Sequence, residues 1–258
     1  MKLSIIILTR NEAKNLKDCI ASTADLADEI IVIDGESTDN TVEVAKSLNA
    51  KVVIFDKWQG YGPRRQDAQK HAGGEWILHL DADERLTPQL VELIKNELSK
   101  ASGNEIFAIP RATYLLSHRI NHCGWYPDYV LRLYKNSYTH YDDALVHEKL
   151  EVPKDAKIIY LKEPMIHYSY RTLEQYFDKQ KTYELAFGEN KFKKGKKVNL
   201  LSIPFRALFG FIRIYFIKKG FLDGKIGLWL AISVAAYVTN KYLALYMAQN
   251  NEKLKYFS

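Results

Sequence analysis

The chain has 258 residues, 47% of them apolar and 26% charged, with a net charge of +6; that length buries a full core, as one large domain or one with an appendage, and excludes a small stapled module. Cys19 and Cys123 stand far apart and form no Cys-x-x-Cys pair, which excludes a zinc motif and a disulfide framework and fits a reducing cytoplasm. The basicity is uneven: residues 190–258 hold 13 Lys and Arg against Asp223 and Glu252, a local charge of +11, whereas residues 1–189 hold 24 basic and 29 acidic side chains, or −5. A cationic tail therefore follows a mildly acidic body.

Residues 3–8 are an apolar run of β character that passes at once into Thr9-Arg10-Asn11-Glu12, too short for a signal peptide and without its cleavage site. Asn11 is expected to cap a helix that buries Leu16, Cys19 and Ile20 at helical spacing. A second strand over residues 29–33 ends in Asp34, the run Gly35 to Asn40 forms a turn, and residues 41–48 place Val42, Ala45 and Leu48 on one helical face. Residues 51–55 read as a third strand. A loop with Gly60, Gly62 and Pro63 leads into a short helix over residues 64–71, which Gly73-Gly74 stops before a fourth strand. That strand ends in Asp81-Ala82-Asp83-Glu84, and Pro88 begins the next helix.

This β-α-β-α-β-α-β order predicts an α/β fold with a mostly parallel, twisted sheet flanked by helices and joined by right-handed crossovers. Strand-like segments at residues 106–110, 130–134 and 158–160 extend it with mixed pairing. Neither Gly-x-Gly-x-x-Gly nor Gly-x-x-x-x-Gly-Lys-Ser/Thr occurs, so dehydrogenase and P-loop readings fall away. Ligands collect at the carboxyl ends of parallel strands. Taken alone, two carboxylates after a strand are as readily a helix cap as a metal site. Here three strand ends deliver polar residues to one edge: Thr9 to Glu12, Asp34 with Asp39, and Asp81 with Asp83. Oxygen ligands of this kind suit Mg²⁺ or Mn²⁺, which in turn neutralises a diphosphate.

In these motifs the chain resembles family 2 glycosyltransferases of GT-A fold: Ser4 to Glu12, the Asp34-Gly35-x-Ser37-x-Asp39-x-Thr41 turn, and Leu80-Asp81-Ala82-Asp83-Glu84 match in order. Gly124-Trp125-Tyr126-Pro127-Asp128, Arg132-Leu133-Tyr134 and Val146-His147-Glu148 resemble the subgroup that glucosylates the heptose core of lipopolysaccharide. The resemblance implies a metal-dependent, inverting hexosyltransferase that moves a hexose, glucose in that subgroup, from a UDP-sugar to a lipid-linked saccharide. It implies that Thr9, Arg10, Glu12, Asp34 and Asp39 line the nucleotide, that Asp81 and Ala82 lie at the ribose, and that Asp83 binds the metal. Arg64 or Arg65 is then a diphosphate contact, planar guanidinium suiting phosphate oxygens. His167 and His147 are candidates to complete the metal shell. The base that takes the acceptor's proton is Glu148 or Asp128, and Trp125 and Tyr126 are candidate stacking faces for the acceptor sugar.

Two other readings use the same residues. Phosphoryl transfer of the haloacid-dehalogenase kind also places Asp-x-Asp after a strand, normally the first and followed by Thr or Val, whereas Glu84-Arg85 follows here. A nucleotide-sugar-binding or membrane scaffold keeps the fold without the base; within the transferase reading, a polysaccharide or protein is the alternative acceptor. The boundary between residues 1–189, the GT-A domain, and residues 190–258, a basic helical extension, follows the charge step. Residues 200–217 set Phe205, Leu208, Phe209, Ile212 and Phe216 beside Arg206, Arg213, Lys218 and Lys219, a pattern that lies on an anionic leaflet. Residues 226–238 are apolar but short for a span. The expected location is the cytoplasmic face of the membrane, bound peripherally, with no nucleic-acid partner because no nucleic-acid module accompanies the lysines.

Overall fold

Four apolar strands, Leu3–Thr9 (β1), Glu29–Asp34 (β2), Lys51–Ile54 (β3) and Trp76–Asp81 (β4), open the chain with three helices between them, Ala13–Ala21 (α1), Thr41–Ser47 (α2) and Tyr61–Gln69 (α3). A computed structural model describes residues 2–55, 60–145 and 148–250. The short strand Glu84–Arg85 (β5), the helix Pro88–Lys100 (α4) and the strands Glu105–Leu115 (β6), His118–Arg119 (β7), Asp128–Lys135 (β8), Lys157–Tyr160 (β9) and Met165–Tyr170 (β10) follow. Two compact units result: Met1–Ala112 with Asp128–His167, and Thr113–Pro127 with Tyr168–Ser258.

In the first unit the sheet runs β3-β2-β1-β4-β8-β6-β10-β5. β1 pairs in parallel with β2 and β4, and β2 with β3. β8 is antiparallel to β4 and to β6, β9 is parallel to β6, and β10 is antiparallel to β5. This is a mixed α/β sheet, parallel through β3-β2-β1-β4 and with antiparallel pairs beyond, as the GT-A resemblance implies. Runs such as Ser4-Ile5-Ile6-Ile7 are buried throughout, because helices cover both faces of a parallel sheet and alternation is lost. One face packs Ile5, Ile7, Val32, Leu78 and Leu80 against Leu16, Cys19, Leu90 and Ile94; the other packs Ile6, Ile31, Ile33 and Ile77 against Ala68.

The start of α1 differs from expectation. Asn11 sits at φ +57° and its side-chain oxygen accepts from Thr38 N at 2.7 Å, so it does not cap the helix. The exposed first N–H groups are met from elsewhere in the chain: Glu12 N donates to Thr41 Oγ1 (2.8 Å) and Ala13 N to Asp39 Oδ2 (3.3 Å). Sequence-local capping rules miss a cap supplied 26 residues away.

The second unit contains the helices Leu173–Lys193 (α5), Ile203–Ile212 (α6) and Gly224–Gln249 (α7), with 3₁₀ turns at Leu200–Ser202 and Gly220–Asp223 and a π-helical turn at Arg213–Ile217. The expected boundary at 189/190 falls inside α5. Helices approach closely where side chains are minimal: a Cβ on Gly188 would stand 2.8 Å from Ala244, and one on Gly227 only 1.8 Å from Gly220 O. α7 is 26 residues long, so the apolar stretch at 226–238 is the N-terminal half of a longer helix and not a short one. By length and composition Leu200–Ile217 and Gly220–Gln249 both suffice to cross a membrane, with 17% and 22% of their most apolar windows buried.

Candidate active site

Register brings the three polar strand ends to one edge of the first unit. Thr9 stands opposite Asp34, and Leu8 opposite Asp81. Asp34 is buried and accepts from Ser37 N (2.8 Å), Ser37 Oγ (2.6 Å) and Thr9 Oγ1 (3.2 Å). Asn11 N donates to Ser37 Oγ at 2.8 Å, so the 9–13 and 34–41 turns interlock. Asp39 belongs to that lock: besides Ala13 N, it accepts from Thr41 N and Thr41 Oγ1, and the Thr41 hydroxyl, ahead of weak desolvation, holds its carboxyl below the usual range. Arg10 is exposed, and Glu12 accepts from Asn15 Nδ2 at 2.6 Å.

Arg64 and Arg65 are buried on α3 and not on a solvated face. The Arg64 guanidinium lies against Gly35, where a Cβ would meet Nη1 at 2.5 Å. Arg65 links two predicted site residues: Nη2 donates to Asp81 Oδ1 (2.9 Å) and Nε to Glu148 Oε1 (2.8 Å). Residues 141–144 reach α3 because Gly62 has no side chain, its Cβ position being 2.0 Å from Asp142 O, while Gln66 Nε2 donates to Tyr141 O and Asp143 Oδ1.

A chain of alternating charge emerges from these contacts. Asp81 Oδ2 accepts from Arg132 Nη2 at 2.5 Å; Arg132 lies 3.4 Å from Glu84 Oε1, and Arg111 lies 3.7 Å from the same oxygen. Arg111 then donates to Asp128 Oδ2 through Nε (2.9 Å) and Nη2 (2.5 Å). Glu148 and Asp128, the two candidate bases, thus terminate one network with Arg65, Asp81, Arg132, Glu84 and Arg111 between them. Desolvation works against charge on Asp81, yet the guanidinium groups of Arg132 and Arg65 hold its carboxyl well below the usual range. Glu84 is fully buried and goes the other way, burial raising its carboxyl despite Arg132. Arg132, Glu84 and Arg111 had no assigned role from sequence. The signal available was an arginine set in the apolar and aromatic middle of β8, between Tyr129-Val130-Leu131 and Leu133-Tyr134.

Asp83 lies next to this network with its side chain 27% exposed, and His167 Nε2 on β10 is 3.5 Å from Asp83 Oδ2. Among the described residues no group of three His, Cys, Asp or Glu side chains is spaced to hold a metal alone. Two ligands fit a hard cation that takes its remaining oxygens from water and phosphate, since neighbouring donors about 2.1 Å from such an ion stand about 3 Å apart. The buried atoms Arg65 Nη1 and Arg132 Nε have no hydrogen-bond partner, and an anionic ligand is one chemistry that would satisfy them. Ala82 is buried. His147 lies outside the described residues. Trp125 and Tyr126 belong to the second unit, where Trp125 packs near Tyr170 at 6.2 Å and the Arg119 guanidinium sits 5.2 Å over the Tyr126 ring.

Comparison with known proteins supplies the family. The model of glycosyl transferase family 2 matches residues 4–163. An uncharacterized glycosyltransferase of Rickettsia bellii is 31% identical over 240 residues, spanning 86% of this chain and 79% of the relative. LpsC of Rhizobium meliloti, a lipopolysaccharide core biosynthesis glycosyltransferase, is 26% identical over 259 residues, 94% of this chain and 93% of its own. Among solved structures, S. aureus TarS 1-349 in complex with UDP aligns with 100% of this chain and 94% of its own at 16% identity and TM-score 0.48; the fold assignment rests on the strand order and not on that likeness.

Proposed function

The chain belongs to glycosyl transferase family 2 and is a glycosyltransferase, and from that premise we propose that it transfers a hexose from a UDP-sugar, with inversion, to the saccharide of a lipid-linked acceptor of the lipopolysaccharide-core class. The observation that carries the reading is the single charge network joining the Asp81–Asp83 motif to a carboxylate at each end. The turns at 9–12 and 34–39 supply the nucleotide's polar contacts. Arg64 and Arg65 face the diphosphate, Asp81 anchors Arg65 and Arg132, and Asp83 with His167 holds a divalent cation. An imidazole beside a carboxylate favours Mn²⁺ over Mg²⁺, the harder ion. When bound, the cation neutralises charge gathering on the departing UDP. Glu148 takes the proton from the acceptor hydroxyl as that oxygen attacks the anomeric carbon from the face opposite UDP. LpsC, whose name places it in lipopolysaccharide core synthesis, supports the acceptor class.

Calorimetry with UDP tests the donor side. Mn²⁺ is expected to tighten UDP binding, and Asp83→Ala to remove that metal-dependent gain while leaving the weaker metal-free binding; an unchanged Mn²⁺ effect in the variant takes Asp83 out of the site.

Peripheral attachment to an anionic leaflet completes the proposal. Leu201, Phe205, Leu208 and Phe209 are 77%, 73%, 58% and 59% exposed, and Phe216 and Ile217 are 56% and 60% exposed, with Arg206, Lys218 and Lys219 close in sequence. Solvent-exposed phenylalanines beside cations match the composition of interfacial helices. Flotation with vesicles containing anionic lipid is expected to recover the intact chain, and Phe205→Glu with Phe209→Glu to abolish recovery without altering UDP affinity. Equal recovery of the double variant overturns this part.

A further inference from the structure

Between α5 and α7, inside the second unit, lies a cleft of about 460 Å³ lined by none of the residues assigned to the donor, within the range of about 300–1,000 Å³ usual for small-ligand sites. α5 presents Phe177, Gln180 and Glu184 to it, and α7 presents Trp229, Ser233 and Asn240. Spacings of three, four and seven residues place each set on one helical face.

The lining divides by chemistry. Trp229 and Phe177 stand with ring centroids 6.3 Å apart, and Phe177 is half exposed. The polar part contains a buried carboxyl, two amides and a hydroxyl, with the charged pair Asp178 and Lys181 beside them: Asn240 Nδ2 donates to Glu184 Oε1 at 3.2 Å, Gln180 Nε2 donates to Tyr176 Oη at 2.7 Å, and Tyr176 Oη lies 2.9 Å from Ser233 Oγ. Loss of water around Glu184 raises its carboxyl, opposed only by the Asn240 bond.

Three occupants can be compared. An acyl chain would strip water from Glu184, Gln180 and Asn240 and return no hydrogen bonds, a loss for each polar group. A phosphate would find one ammonium, Lys181, set against two carboxyls, Asp178 and Glu184. A sugar offers a C–H face for an indole or phenyl ring and a rim of hydroxyls that both donate and accept, which answers the amides, the hydroxyl and the carboxyl together. Exposed Leu228 and Ile232 continue along α7 beside these polar groups, and they suit the apolar portion of the same molecule.

The geometry points to a saccharide-binding site in the α5–α7 cleft that takes the sugar head of an amphiphile. Its assignment to the acceptor rests on the transferase reading; the binding itself does not. The test uses the intact chain without donor or metal and two detergents sharing one alkyl chain, n-dodecyl-β-maltoside and n-dodecylphosphocholine, each below its micellar concentration. Calorimetry should show the maltoside binding at least tenfold more tightly. Saturation-transfer NMR should light its sugar protons. Gln180→Ala and the surface variant Asn240→Ala should each weaken the maltoside severalfold and leave the phosphocholine unchanged. UDP affinity, measured in parallel on the same variants, should stay constant, so failure of the donor site and failure of this cleft read out separately. Equal affinity for the two detergents, no binding of the maltoside, or indifference to both substitutions overturns the proposal.

Discussion

Arg132→Ala is expected to destabilise the first unit by about 3–5 kcal/mol, the cost of removing one partner from a buried ion pair. Arg132 is 6% exposed and lies between Asp81 at 2.5 Å and Glu84 at 3.4 Å. Without it Glu84, fully buried, keeps the backbone bond from Asp81 N (2.9 Å) and, as its charged partner, Arg111 at 3.7 Å, while Asp81 keeps Arg65. Hydrogen exchange of the β4 and β8 amides measures the loss where it arises, without assuming that both units unfold together. The sign of its pH dependence follows from the two carboxyls. Asp81 is held well below its ordinary range, so the stability it contributes is complete above the unfolded value of about 4 and drains as pH falls. Glu84 is raised by burial, so ionising it costs stability as pH rises. In Arg132→Ala both negative charges lose a guanidinium, so the deficit should be largest near neutrality and shrink in acid as the carboxyls take up protons. A deficit below about 1 kcal/mol, typical of a solvated pair, or one that grows in acid, contradicts this account.

The same cluster marks where sequence reasoning stopped. β1 to β4 were legible because each is an unbroken apolar run ended by a polar residue, and parallel register alone then carries Thr9, Asp34 and Asp81 to one edge. The partners of Asp81 were not legible. Arg65 and Arg132 lie 16 and 51 residues away, and no periodicity signals which buried arginine meets which carboxylate. Asp39 shows the reverse difficulty: it stands within a matching motif, and its oxygens meet the first turns of α1 and α2. In the second unit, the length of α7 was hidden because Thr239, Asn240 and Lys241 interrupt the apolar run, beyond which Tyr242, Tyr246 and Gln249 still pack, Gln249 by bonding both N and O of Val198.

Glu148→Gln is expected to lower the turnover of sugar transfer by about 10²–10⁴-fold, the range of general-base catalysis, with UDP affinity held constant. The substitution suits the question because a glutamine oxygen can still accept from Arg65 Nε, where Glu148 Oε1 now accepts at 2.8 Å, so the arginine keeps its place while proton acceptance is lost. Asp128→Asn is the matched comparison, since an amide oxygen can keep the bond from Arg111 that Asp128 Oδ2 now accepts. The two sites differ in shelter. Glu148 has a side chain 14% exposed and lies one guanidinium from Asp81, whereas Asp128 is 41% exposed at the far end of the network. A base shielded from water competes less with solvent for the acceptor's proton, which favours Glu148. Asp128→Asn should therefore cost well under tenfold in turnover. The reverse pattern transfers the role to Asp128. A parallel fall in UDP affinity and turnover in Glu148→Gln would instead make Glu148 a positioning residue for Arg65, because a base acting on the acceptor has no reason to alter how the nucleotide is held.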